Sequence, residues 1–92
     1  MRIISQNGAI DVPYEMSAIR NDDGLIILCM AGETGKGSVI ARYSTSEKAE
    51  KAMEMLHEKY KDYSIATNRS NVFKMFDYPK AFQFPQDEDV EV

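Results

Sequence analysis

One change of hydrophobic period, near residue 44, constrains this chain more than any other feature. Before it, apolar residues come in short runs broken by turn formers. After it, Ala49, Ala52, Met53, Leu56 and Tyr60 recur at helical spacing, with Lys48, Glu50, Lys51, Glu54, Glu58 and Lys61 filling the surface between them. Such a stripe marks a helix that lies against a core along one face. Ser44-Thr45-Ser46-Glu47 stands ahead of it in the S-x-x-E form of a capping box, in which hydroxyl and carboxylate satisfy each other's orphan backbone donors. Glu47 and Lys51 add a favourable i,i+4 pair. The pattern predicts a helix over about 45–62.

The residues around the helix must supply the surface that it covers. Residues 2–6 lead into Asn7-Gly8, the dipeptide that best supplies the positive φ angles of a two-residue hairpin turn. Ala9 to Val12 then runs to Pro13, which lacks an N–H and points to an edge strand or a bend. Tyr14 to Arg20 alternates loosely before a second reversal at Asn21-Asp22-Asp23-Gly24. Leu25 to Met30 is continuously apolar and short, which reads as a strand covered on both faces. Gly32 to Gly37 turns the chain again, and Ser38 to Tyr43 reads as the next strand of an antiparallel meander. Beyond the helix, Tyr63 to Ala66 reads as a short strand and Thr67 to Asn71 as a polar loop. Val72 to Phe76 and Ala81 to Phe84 have the aromatic alternation of strands, with Pro79 and Pro85 bracketing the last piece. The expected fold class is α+β: an antiparallel sheet of about five or six short strands, packed on one face by one amphipathic helix.

Charge and composition narrow the functional classes. The 92 residues make one small domain, expected over residues 1–85, and 43% hydrophobic with 28% charged residues is globular composition. Its core is thin, because a domain this small buries only roughly 60–65% of its unfolded surface. Of the 15 acidic residues, Asp87, Glu88, Asp89 and Glu91 fall in the last seven positions, where no basic residue stands. Residues 1–85 therefore balance, and the end of the chain carries the whole net charge of −4. That end is expected to be a solvated tail, with a docking segment as the alternative. A partner for a nucleic acid polymer would present a basic face or stripe, and none stands out. No apolar run approaches the roughly 18 residues of a membrane span, and the first residues lack the apolar region of a signal peptide. A single cysteine, Cys29, rules out an intrachain disulfide and fits a reducing compartment, so a cytoplasmic location is expected.

Few motifs carry chemistry. Gly35-Lys36-Gly37-Ser38 invites a phosphate-loop reading, but Met30 stands where the first glycine is needed and Gly37 follows the lysine. A strand follows rather than a helix, so a hairpin turn is expected. His57, the sole histidine, lies mid-helix beside the apolar stripe without the partners of a nucleophile or a metal site. Cys29 sits in the most apolar run, where it behaves as a small hydrophobe. Asp22-Asp23 are turn residues, and Asp87-Glu88-Asp89 lacks the ligand alternation of a calcium loop. Binding without catalysis, metal or cofactor is the expectation. The aromatics, four Phe and five Tyr, crowd the second half of the chain around Asn68, Arg69, Asn71 and Lys74. Packing against the helix accounts for any one of them. An arginine among amides and aromatic faces is also the kit for phosphate and base recognition.

Several stretches resemble a family of short proteins encoded by phages and prophages of Gram-positive bacteria. They are Arg2 to Gly8, Ile10 to Glu15, Tyr43 to Ala49, Lys51 to Leu56, and Phe82 to Pro85 with its acidic end. Sheet first, one capped helix, then aromatic strands is also similar to the Thoeris anti-defence proteins, which are non-enzymatic oligomers that sequester cyclic ADP-ribose-type immune signals. The resemblance implies arginine and asparagine side chains on the phosphates and an aromatic on the adenine. Chosen by residue type and neighbourhood, the carriers here are Arg42, Asn68, Arg69, Asn71 and Phe76. It implies a phage-encoded protein that sequesters a nucleotide signal, of cyclic ADP-ribose type or a cyclic dinucleotide, without turnover. The alternative is a phage-encoded inhibitor that makes direct contact with a host defence or transcription protein. A thin core and open strand edges also lead us to expect at least a homodimer.

Overall fold

The computed structural model describes residues 1–32, 35, 37–68 and 81–92, with side chains except at 64–68. Among these residues the order is β1 (Arg2–Ile4), β2 (Asp11–Pro13), β3 (Ser17–Asp22), β4 (Leu25–Met30), β5 (Ser38–Arg42), α1 (Ser46–Asn68) and β6 (Ala81–Gln83). Short 3-10 turns occupy Tyr14–Met16 and Asp87–Asp89. The class is α+β, as the sequence predicts, but the strands divide into two three-stranded sheets, ordered β2-β1-β6 and β3-β4-β5. The second is the expected antiparallel meander. In the first, β1 runs antiparallel to β2 and parallel to β6, with Ile3 opposite Phe82. A parallel pair needs a long crossover, and α1 lies within the stretch between β1 and β6. Three-residue strands carry too little local pattern to announce that pairing.

Turn chemistry explains the meander. Asp23 and Gly24 both have positive φ, 50° and 94°, and they join β3 to β4 as a two-residue hairpin loop. Asn21 Oδ1 accepts from Gly24 N at 3.0 Å and fixes the turn. A Cβ on Gly24 would lie 2.9 Å from the carbonyl oxygen of Tyr43, which is backbone and cannot move aside. Gly24→Ala therefore meets both a left-handed φ and a collision, and a loss above about 1 kcal/mol is expected. Unfolding in urea checks it, and an unchanged midpoint would contradict the tight approach of the turn to Tyr43, just past β5. On the other side of β4, a bulge sets Ala41 opposite Ile26 and Val39 opposite Ile27. The extra residue, Ile40, and its neighbour Ala41 are both buried, so strict alternation breaks there.

The first hairpin differs from expectation. Asn7-Gly8 is not a two-residue loop, because β1 ends at Ile4 and β2 begins at Asp11. Ser5 supplies the reason: it is buried, its hydroxyl donates to Asn7 Oδ1 at 2.7 Å, and it accepts from Ile10 N at 3.0 Å. These side-chain bonds build a wider loop and free Gln6 to act elsewhere. Gln6 N donates to Ile40 O at 2.8 Å, so the chain leaves β1 and touches β5.

Helix α1 is longer than the pattern predicted, because Tyr63 to Ala66 continues it rather than forming a strand. Propagation adds one backbone bond per residue once a helix exists, which outweighs the weak strand preference of a few residues. Tyr63 also extends the stripe, its ring 5.8 Å from that of Tyr60. Ala49, Ala52 and Leu56 are fully buried, and Met53 and Tyr60 pack partly against the core, as the periodicity predicts. The N-cap falls one residue later than the capping box implies: Thr45 Oγ1 accepts from Lys48 N at 3.2 Å. Lys51 pairs with Glu54, at 3.8 Å.

Ser44 instead donates its backbone N–H to Asp87 Oδ1 at 2.7 Å, which overturns the solvated-tail expectation for the residues that follow Pro85. Lys48 Nζ donates to Asp87 O at 3.0 Å, Tyr43 donates its hydroxyl to Pro85 O at 2.7 Å, and Val90 is buried in the core. The positive end of α1 attracts the carboxylate, and Val90 anchors the segment by apolar burial. The Ser44 N–H, together with Lys48, holds the Asp87 carboxyl below its usual range despite some burial. Burial, then the negative charge of Asp87, pushes the Tyr43 phenol up from 10.0 to about 12. A raised phenol stabilises the fold fully below its unfolded value, and that contribution is lost as pH rises through the folded value. The melting temperature should accordingly fall between pH 10 and about 12, and Tyr43→Phe should flatten that alkaline leg. Equal alkaline slopes for both proteins would count against the clasp.

Candidate functional site

The described residues form a crevice where the first 3-10 turn and β3 meet α1. It has a volume of about 340 Å³ and is lined by Tyr14, Glu15, Ser17, Ile19, Met53, Leu56, His57 and Tyr60. Pro13 ends β2 and sends the chain into the 3-10 turn, which presents Tyr14 and Glu15. Tyr14 N donates to Met1 O at 2.8 Å, which ties the turn to the first residue. Its ring stacks on Tyr60 with centroids 4.1 Å apart and planes 27° apart. Glu15 accepts from the Met1 ammonium through both oxygens, at 3.1 and 3.0 Å. Burial pulls that carboxyl up, but the ammonium and a backbone hydrogen bond pull it down further, leaving it below its usual range. Ser17 Oγ donates to Pro13 O at 2.7 Å. Ile19 and Met53 make the apolar floor with buried Leu56 beneath them, while His57 stands exposed on the helix, one turn before Tyr60.

Two further depressions flank the fold. A cleft of about 220 Å³ holds Arg42 with Gln6, Asn7, Val39, Ile40 and Ala41. Asn7 Oδ1 accepts from Ser5 Oγ and Ala9 N, and the Gln6 amide is bonded to Arg42 and Pro85. A groove of about 450 Å³ runs along α1 beside Phe82, with Met55 exposed among Lys51, Glu54, Glu58, Lys59 and Asp62.

Of the five residues that sequence reasoning selected, Arg42 is exposed at the end of β5 and Asn68 is the last residue of α1. Arg69, Asn71 and Phe76 lie outside the described residues. Arg42 precedes the start of α1 and Asn68 ends it, and a helix of 23 residues is about 34 Å long. The two therefore lie far apart along one copy. Sequence reasoning gave no role to Tyr14 or Glu15, and it placed Met53 on the helical stripe and His57 beside it without joining them to the 3-10 turn. Tyr60 was visible as part of the stripe, but nothing local told that Tyr14 would stack on it. His57 is exposed on α1, and Cys29 is half-buried with its thiol 3.9 Å from Gly35 O. Among the described residues, no group of three or more His, Cys, Asp or Glu is placed to hold a metal ion, and no helix is long and apolar enough to cross a membrane. Comparison with protein-family models, with curated proteins and with solved structures gives no match.

Proposed function

We propose that this chain is a non-catalytic binding protein that sequesters a small nucleotide signal, of cyclic ADP-ribose type or a cyclic dinucleotide, in the cytoplasm of a bacterial host. The crevice between β3 and α1 carries this reading. A wall of two stacked tyrosines above an apolar floor suits a flat heteroaromatic ring, which gains from offset stacking and from burial. The phage-encoded anti-defence role rests on the resemblance of the sequence motifs. In this role the protein acts by stoichiometry, so its ligand leaves as it arrived. Calorimetry of the whole chain with cyclic ADP-ribose isomers and cyclic dinucleotides should give saturable heat for at least one of them. Mass spectrometry after heat release should recover that nucleotide at unchanged mass. Absence of heat across the series overturns the reading, and a product of altered mass replaces sequestration with turnover.

A second reading is direct inhibition of a host protein, and the groove along α1 favours it. Exposed Met55 beside Phe82, rimmed by charges of both signs, has the apolar centre and polar rim of a protein contact. Co-purification of one host protein, lost in Met55→Glu, would select it over sequestration. In either role we expect at least a homodimer, and light scattering that gives only a 10.4 kDa species at micromolar concentration would reject that.

A further inference from the structure

We infer that the crevice holds the uncharged, flat part of its ligand, a purine nucleoside with N–H donors, and leaves any phosphate in solvent. The inference rests on the nucleotide reading above and specifies which moiety is gripped. Size is the first argument: about 340 Å³ lies at the lower limit of small-molecule sites, enough for one ring system with its sugar. Charge is the second. Among the described residues the lining contains neither lysine nor arginine, and its one full charge is the Glu15 carboxylate. The nearby Met1 ammonium is already given to Glu15 at 3.0 Å, and the Met1 side chain is fully enclosed. A phosphate here would meet a carboxylate without the charge-assisted donors that phosphate sites use.

The same groups suit a purine. The Glu15 carboxylate keeps acceptor capacity beyond its bonds to the ammonium and the backbone, and a carboxylate accepts from ring or exocyclic N–H groups. Tyr14 and Tyr60 are held against each other, so the aromatic wall is ordered before any ligand arrives. Met53 adds a polarisable sulfur to the floor, which favours contact with an aromatic ring. His57 stands at the rim, exposed and able to donate or accept at the base edge or the ribose.

The whole chain should be titrated with guanosine, adenosine and their 5′-monophosphates, followed by calorimetry and by tyrosine emission, since the protein has no tryptophan. We expect the nucleosides to bind, the added phosphate to leave affinity unimproved, and Tyr60→Leu to weaken binding by about tenfold or more through lost stacking. Tyr60→Phe should restore it. His57→Ala, at an exposed position that leaves the fold intact, should weaken binding by about threefold, the size of one modest hydrogen bond. Monophosphates that bind about tenfold tighter than nucleosides would overturn the inference, because charge would then dominate. So would nucleosides that do not bind, or affinity unchanged in both Tyr60→Leu and His57→Ala. The two readings fail separately. A cyclic signal that binds undiminished to Tyr60→Leu keeps sequestration and removes the crevice, whereas nucleosides that bind while every cyclic signal fails keep the crevice and remove sequestration.

Discussion

Leu56→Ala is expected to lower the free energy of unfolding by about 2–5 kcal/mol, the range for deleting a fully buried leucine. Leu56 has no exposed surface, and its helix packs on β3 and β4. The loss combines the transfer energy of the missing carbons with a cavity that the surroundings refill only in part. A core of this size has few neighbours able to relax into the hole, so the upper half of the range is expected. Urea unfolding of Leu56→Ala beside exposed Lys61→Ala checks it. A near-wild-type midpoint for Leu56→Ala would detach α1 from the core. Because Leu56 supports the crevice floor from beneath, the variant should weaken nucleoside binding together with stability.

Gln6→Ala should rank with the core deletions although its side chain is polar. Gln6 Oε1 accepts from Arg42 N at 2.9 Å, and Nε2 donates to Arg42 O at 3.1 Å and to Pro85 O at 3.0 Å. With its backbone N on Ile40 O, Gln6 occupies the edge of β5 much as a further strand would. Gln86 Nε2 closes the arrangement by donating to Gln6 O at 2.8 Å. Three side-chain bonds at about 0.5–1.5 kcal/mol each, two of them exposed so that water can take the lost partner's place, give an expected loss of about 1.5–3 kcal/mol. Gln6→Glu should be nearly as costly. It keeps the acceptor for Arg42 N but turns a carboxylate oxygen toward two carbonyls that need a donor. Thermal unfolding of both variants tests this, and a glutamate variant as stable as the wild type would show that the Nε2 donor contributes nothing.

The resemblance-based site and the structural site differ because they rest on different kinds of information. Arg42, Asn68, Arg69, Asn71 and Phe76 share a chemistry, but residue type carries no distance. Arg42 and Asn68 prove to lie before the start and at the end of one 23-residue helix. Tyr14 and Tyr60, by contrast, are far apart in sequence and meet at 4.1 Å. A phosphate grip built on arginine and an aromatic crevice whose described lining holds no lysine or arginine predict opposite responses to an added phosphate, so one titration series separates them.

What the sequence determined by itself was governed by neighbours a few residues away. The apolar stripe of α1 follows from a 3.6-residue period, and Asp23-Gly24 follows from the tolerance of those residues for positive φ. The continuous run Leu25–Met30 likewise announces a largely buried strand. Only the tertiary structure decided the rest. It set β6 parallel to β1, turned Gln6 from a strand residue into the edge partner of β5, and drew an acidic segment onto the start of α1. It also brought Tyr14 to Tyr60. Each of these is a contact across dozens of residues, whose closure entropy is repaid only when burial and hydrogen bonds form together. A local pattern reports the preference of a segment, whereas a pairing depends on which other surfaces remain uncovered once the helix has taken its own.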